Sequence, residues 1–234
     1  MNATLDTKPF SKRLFGWGIG WIFILGVIYA CQTPVYVTQT APELANFKSI
    51  LVIPFTDMSR LAGSNMDTRC PLCGRVFISG EVADNATDFL SAQTAALLKR
   101  HTEYRLVFER QADSSLNDLY LANPSTNAVR RALVEKGRQN TADVVLLGFV
   151  YRFRERVGTA YSVESPASVA FGMHLIRVMD GRTIWSASLD ETQKSLGDNL
   201  FQLGSFLSRG GRWVTAEELA TSGLEEIFKK FPEK

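Results

Sequence analysis

Histidine occurs only twice in these 234 residues and cysteine only three times, and acidic and basic residues nearly balance, 24 against 26. His101 and His174 are too few and too far apart to form a ladder of metal ligands in the sequence. There is no Gly-x-Ser-x-Gly elbow and no phosphate-binding glycine loop, and Gly16-Trp17-Gly18 lies inside an apolar run where no nucleotide binds. Asp190 and Glu191 are adjacent, so on a strand they point to opposite faces and make no acid–base pair. These gaps argue against an enzyme. The charge balance gives no electrostatic case for nucleic acid. Internal repeats and low-complexity runs are also missing, which leaves one ordinary folding unit.

One long hydrophobic run is present, from Leu14 to Ala30, preceded by Lys8, Lys12 and Arg13 and followed at once by Cys31. A basic head, an apolar centre and a small residue before a cut site make an export signal. Ile28-Tyr29-Ala30-Cys31 resembles the lipobox of bacterial lipoproteins, in which the cysteine after the cut accepts lipid; Tyr29 is bulkier than that pattern usually shows. The alternative is an uncleaved inner-membrane signal anchor, although about 17 residues diluted by four glycines sit at the short end for a span. Removal of residues 1–30 leaves 23 basic and 23 acidic residues, so the mature chain is neutral. The expected division is 1–30 signal peptide, 31–48 lipidated cysteine and short tether, and 49–234 periplasmic domain. Thr33-Pro34 and Pro42 argue against regular structure in the tether, and a coil of that length averages about 20 Å.

With Cys31 assigned to covalent lipid, Cys70 and Cys73 remain as a pair in Cys70-Pro71-Leu72-Cys73-Gly74. Outside the cytoplasm such a pair tends to oxidise, and a disulfide closing so short a ring stabilises modestly. Free thiols, a redox pair and half of a zinc knuckle are the alternatives. Zinc wants four ligands, and with both histidines distant in sequence a metal site would need another subunit, so no metal and no cofactor beyond the lipid is expected. Haem attachment is excluded because Gly74 stands where the histidine should be.

Ser49 to Phe55 reads as a strand covered on both faces, its branched apolar residues being continuous. A polar loop from Thr56 to about Phe77 follows, then a helix capped by Ser79 and running to about Arg100, a strand over Tyr104 to Phe108 and a helix over Asn127 to Gln139. Asp143 to Val150 is the clearest strand and continues by alternation to Val157; Ala167 to Val178 and Thr183 to Asp190 are strands joined at Asp180-Gly181, a hairpin signal. Thr215-Ala216-Glu217-Glu218 is a capping box opening a last helix to about Lys230. The expected fold is a single α/β (α+β) domain in the order β-α-β-α-β-β-β-α, with helices packed on a mixed sheet.

The first strand Ile50 to Phe55, the strand Ala142 to Gly148 and the hairpin Asp180-Gly181…Ile184-Trp185 give the chain a pattern that resembles a group of envelope proteins. The group includes the curli-secretion lipoprotein CsgG, the penicillin-binding-protein activator LpoB and the amino-terminal domain of TolB. The resemblance covers about residues 48–191 and implies a periplasmic α/β domain that binds protein partners without catalysis. The chain departs from the activator type in its short tether and from the channel type in having no spare pair of membrane-length strands.

Arg152, Arg154 and Arg156 recur at period two opposite Tyr151, Phe153 and Val157, a basic stripe suited to phosphates or an acidic partner, or else a solvated face balanced by Glu155, Glu164 or Asp190. The long connection from Thr192 to Trp213 carries Phe201, Phe206 and Trp213 as docking candidates. The expectation is a membrane-anchored lipoprotein on the periplasmic face of the outer membrane, which Gln32 after the cysteine favours, with unidentified envelope protein partners. A homo-oligomeric subunit of a CsgG-like secretion or export complex is the alternative.

Overall fold

A computed structural model describes residues 35–39, 47–62, 65–109, 119–120, 122, 125–193 and 212–232. The strongest apolar segments of the sequence form its centre. β2 (Ser49–Val52) is buried at all four positions and lies between two parallel neighbours, β6 (Arg105–Phe108) and β7 (Val144–Arg154). β7 then pairs antiparallel with β10 (Ser168–Arg177), and β10 with β11 (Thr183–Thr192). The sheet is therefore mixed, as the alternation of crossovers and hairpins in the sequence requires. Gly181 takes φ 71° at the β10–β11 turn, which the Asp-Gly signal anticipates.

Short elements fill the connections. β3 (Thr56–Asp57) extends the parallel edge of β7, and α1 (Ser59–Ala62) follows it. β4 (Asp67–Arg69) and β5 (Val76–Ile78) make an antiparallel hairpin within the stretch expected to be loop. β8 (Val157–Gly158) and β9 (Val163–Ser165) make another between β7 and β10.

Two faces of the sheet are covered differently. On one face lie α2 (Ala86–His101) and α4 (Ala216–Phe228), which bury Leu90, Leu97 and Leu98 and Leu219, Leu224 and Ile227 against Val144, Leu146 and Phe171. On the other lie α3 (Thr126–Gln139) and the β4–β5 hairpin, which bury Val129, Leu133, Leu72 and Phe77 against Val145, Leu147 and Phe149. The capping box of α4 is formed in both directions, Thr215 accepting from the Glu218 amide and Glu218 from the Thr215 amide. Gly148 sits in β7 where a Cβ would come within 2.3 Å of the Phe55 ring, so only glycine lets that ring cross the strand.

Two expectations are corrected. The tether contains a strand: β1 (Val35–Gln39) pairs antiparallel with β11 and ends the sheet order β1-β11-β10-β7-β2-β6. Ser79 does not cap α2. It is fully buried, its hydroxyl donates to the Met66 carbonyl, and the helix starts at Ala86 after Asn85. The intervening Val82, expected on the helix, instead bridges Phe153 of β7.

Asp143 fixes where β2 and β7 begin. Its Oδ2 accepts from the Lys48 amide at 2.8 Å and from the Ser49 amide and hydroxyl, both at 2.9 Å. Burial pushes its acidity toward a higher pKa, but these donors and nearby Arg105 outweigh that and hold it below the ordinary 3.8. Asp143→Ala is expected to cost about 1–2 kcal/mol at neutral pH by stripping the buried Ser49 donors. Since the folded carboxylate binds its proton less readily than the unfolded one, this contribution is present above pH 3.8 and fades as acid protonates the group. Urea midpoints of both proteins, at neutral pH and in acid below that value, check it; the gap between them should close in acid.

Candidate functional site

The β4–β5 hairpin turns through Cys70-Pro71-Leu72-Cys73-Gly74. The Cys70 amide donates to the Arg75 carbonyl at 2.8 Å and the Gly74 amide to the Cys70 carbonyl at 3.0 Å. Gly74 sits at φ 73°, a conformation that a side chain disfavours. The hairpin lies over the sheet, Phe77 stacking on Tyr151 of β7 at 4.1 Å between ring centroids and 9° between planes. That contact presses the buried Cys70 onto β10, while Cys73 stays exposed. Both are free thiols in this structure.

What Cys70 meets is His174. Period two on β10 places His174 on the face of Ala170 and Ile176, toward the hairpin. Its Nε2 is 3.2 Å from the Cys70 sulfur, and its Nδ1 is 2.9 Å from the Ser186 hydroxyl on β11. The donor atoms of Cys70, Cys73 and His174 lie within 4.8 Å of one another. The buried Tyr151 hydroxyl lies beside the Cys70 sulfur. Cys73 and His174 line a cleft of about 600 Å³, together with Arg75, Arg130, Gly172 and Ser188. One wall is tied across by the Arg75 guanidinium, 3.8 Å over the Tyr36 ring of β1.

The electrostatics of the cluster follow from burial and a shared proton. The hydrogen bond from Cys73 brings the Cys70 thiol down to about 6 against the burial that opposes it, and the same bond, with burial, pushes Cys73 up. Burial lowers His174 to about 4, so the imidazole is neutral at neutral pH. Tyr120 and Tyr151 are raised, by burial first and then by the Cys70 sulfur. A thiolate, a second thiol and a neutral imidazole can share a soft cation, and the two sulfurs can close a disulfide. In sequence neither histidine lies near the pair, which is why a metal there is expected to need a second subunit; the structure supplies the third donor within the chain. The available signal was a polar His174 inside the otherwise apolar run from Ala170 to Ile176.

The arginine stripe is not formed. A register shift opposite Ala170 and Phe171 leaves Tyr151 as the extra residue on β7, so Tyr151 faces the hairpin and Phe153 the helices α2 and α4. Arg152 is absorbed inside, its Nε donating to the Ser168 hydroxyl at 2.7 Å, Nη1 to the Ile78 carbonyl and Nη2 to Asp190, both at 2.6 Å. Arg154, half-buried, ends β7, and its Nε has no partner. Arg156 lies beyond the strand and donates to the Trp213 carbonyl at 2.8 Å, while the Trp213 amide donates to Ala160. Trp213 is thus tied to the β8–β9 hairpin. Cys31, Phe201 and Phe206 lie outside the described residues.

The molecule is thus of the class of α/β domains in which a mixed sheet is covered on both faces, with a sulfur-and-imidazole cluster under one of them. No family model matches the chain, and no curated protein does. Among solved structures it is similar to the PelC dodecamer from Paraburkholderia phytofirmans, 16% identical over 80% of this chain and 89% of that one, with a TM-score of 0.46. Lipoprotein GNA1162 from Neisseria meningitidis is 18% identical over 70% and 98%, with a TM-score of 0.38. The LpoB C-terminal domain from Salmonella enterica, from a protein of the group that the sequence pattern resembles, is 16% identical over 62% and 83%, with a TM-score of 0.30. Likenesses at this level carry no argument about what the chain does. No helix among the described residues is long and apolar enough to cross a membrane.

Proposed function

We propose that this chain is a lipid-anchored periplasmic lipoprotein of the outer membrane, a non-catalytic module that holds envelope proteins at the membrane surface. The observation that carries the reading is the apolar run from Leu14 to Ala30 behind a basic head, followed at once by Cys31 and four residues later by β1 at Val35. Four residues of extended chain reach at most about 14 Å. An acyl chain on Cys31 therefore sets the β1 edge of the sheet against the headgroups, and the domain reaches only partners confined to the same surface. Such confinement raises effective concentration without any new contact.

Cys31→Ala is expected to abolish labelling by a tritiated fatty acid, to leave the precursor uncut and to remove the protein from the outer-membrane fraction. Unchanged processing and fractionation of that variant would overturn the reading. The second reading, a subunit of an oligomeric secretion or export complex, draws on β1 and β6 standing at the two ends of the sheet order, where strands of another copy can add. Size in detergent separates the two: a ring elutes as one large assembly, a tethered module as a monomer.

A further inference from the structure

The hairpin that carries the cysteines has more built into it than a disulfide needs. The turn is held shut by backbone hydrogen bonds from the Cys70 amide to the Arg75 carbonyl and from the Gly74 amide to the Cys70 carbonyl. Such bonds hold the loop that carries both sulfurs in one conformation. Behind the third donor stands Ser186, whose hydroxyl engages His174 Nδ1 at 2.9 Å. With the proton of the neutral ring on Nδ1, the Nε2 lone pair points at Cys70 and is free to coordinate.

We infer that Cys70, Cys73 and His174 bind one thiophilic d10 cation, zinc(II) or copper(I), with its remaining coordination position on the side of the cleft. Tetrahedral bonds of about 2.3 Å to sulfur and 2.0 Å to nitrogen place the donors about 3.5–3.8 Å apart. The present separations, 3.2 Å for Cys70 to His174 and under 4.8 Å throughout, reach that arrangement with side-chain adjustments alone. Each sulfur binds as thiolate, so any proton it holds passes to solvent, and no electrons are transferred. Soft sulfur with imidazole selects zinc or copper(I) over magnesium or calcium, which take oxygen. Three protein ligands also leave room for water or a cleft-bound donor, the arrangement that closed four-ligand sites do not have.

The test uses the full chain, extracted in detergent, reduced and stripped with a chelator. Zinc is added in competition with a chromophoric chelator, copper(I) under ascorbate in competition with its own, and cobalt(II) as a spectroscopic probe. One equivalent of zinc or of copper(I) should be retained, and cobalt should give the thiolate charge-transfer and tetrahedral d–d bands. Ser186→Ala should weaken binding about 10–100-fold, as loss of a ligand's hydrogen-bond partner does. Cys73→Ser, at an exposed position, should weaken it further. Retention of one cation over the other identifies it. Binding by Cys73→Ser equal to the unsubstituted protein, or no retention of either cation by the reduced chain, overturns the inference. Repeating the titration in a Cys31→Ala background keeps it independent of lipid attachment.

Discussion

Trp185→Ala is expected to lose about 3–5 kcal/mol of stability, the range for deleting a fully buried tryptophan. The indole is completely buried at the β11 position opposite Leu175 on one side and Gln39 on the other. Its Nε1 donates to the Lys230 carbonyl at 3.3 Å, and the Phe231 ring meets it edge-on at 5.0 Å between centroids. Phe228 in turn stacks on Phe231, so one side chain anchors the end of α4 to the sheet. Alanine opens a cavity there and leaves the carbonyl without its donor. A fall in urea midpoint without a change in slope is the expected record; Trp185→Phe, which keeps a ring but not the donor, should lose clearly less. Equal losses in the two variants would mean that the hydrogen bond, and not the packing, holds the helix end.

Arg152→Ala should cost about 2–3 kcal/mol. Breaking a buried ion pair costs about 3–5 kcal/mol because a charge is stranded, and the present pair is milder because the Asp190 side chain is 31% exposed. The guanidinium also pins the β4–β5 hairpin through the Ile78 carbonyl. Gly80 makes room for it, since a Cβ there would come within 2.9 Å of the arginine stem. The variant is therefore expected to be cut faster by protease within residues 67–78 than the unsubstituted protein. If Arg152 served instead as an exposed contact for a partner, its removal would leave the denaturant midpoint where it was.

Much of the architecture was legible because it rests on local chemistry. The branched run of β2, the long apolar β7, the Asp180-Gly181 turn and the Thr215 capping box each carry their cause within a few residues. The misread places share a different cause. β1 is a five-residue edge strand after Pro34, and its pairing energy comes from β11, some 150 residues later in the chain. Ser79 has the chemistry of a helix cap, but burial in the hairpin gave its hydroxyl the Met66 carbonyl instead. The arginine stripe failed because Arg152 is drawn into hydrogen bonds with Ser168, Ile78 and Asp190 and because β7 ends at Arg154, before Arg156.

The sequence alone determined that a mixed sheet with three long helices would form, because hydrophobic period, turn residues and caps act over short distances. It also held the apolar run from Leu14 to Ala30 before Cys31 and the Cys-x-x-Cys pair, both of which are contiguous. Only the tertiary structure decided that His174 stands against Cys70 across 104 residues of chain. Such a meeting depends on how a hairpin lies on a sheet, which is set by the packing of Phe77 on Tyr151.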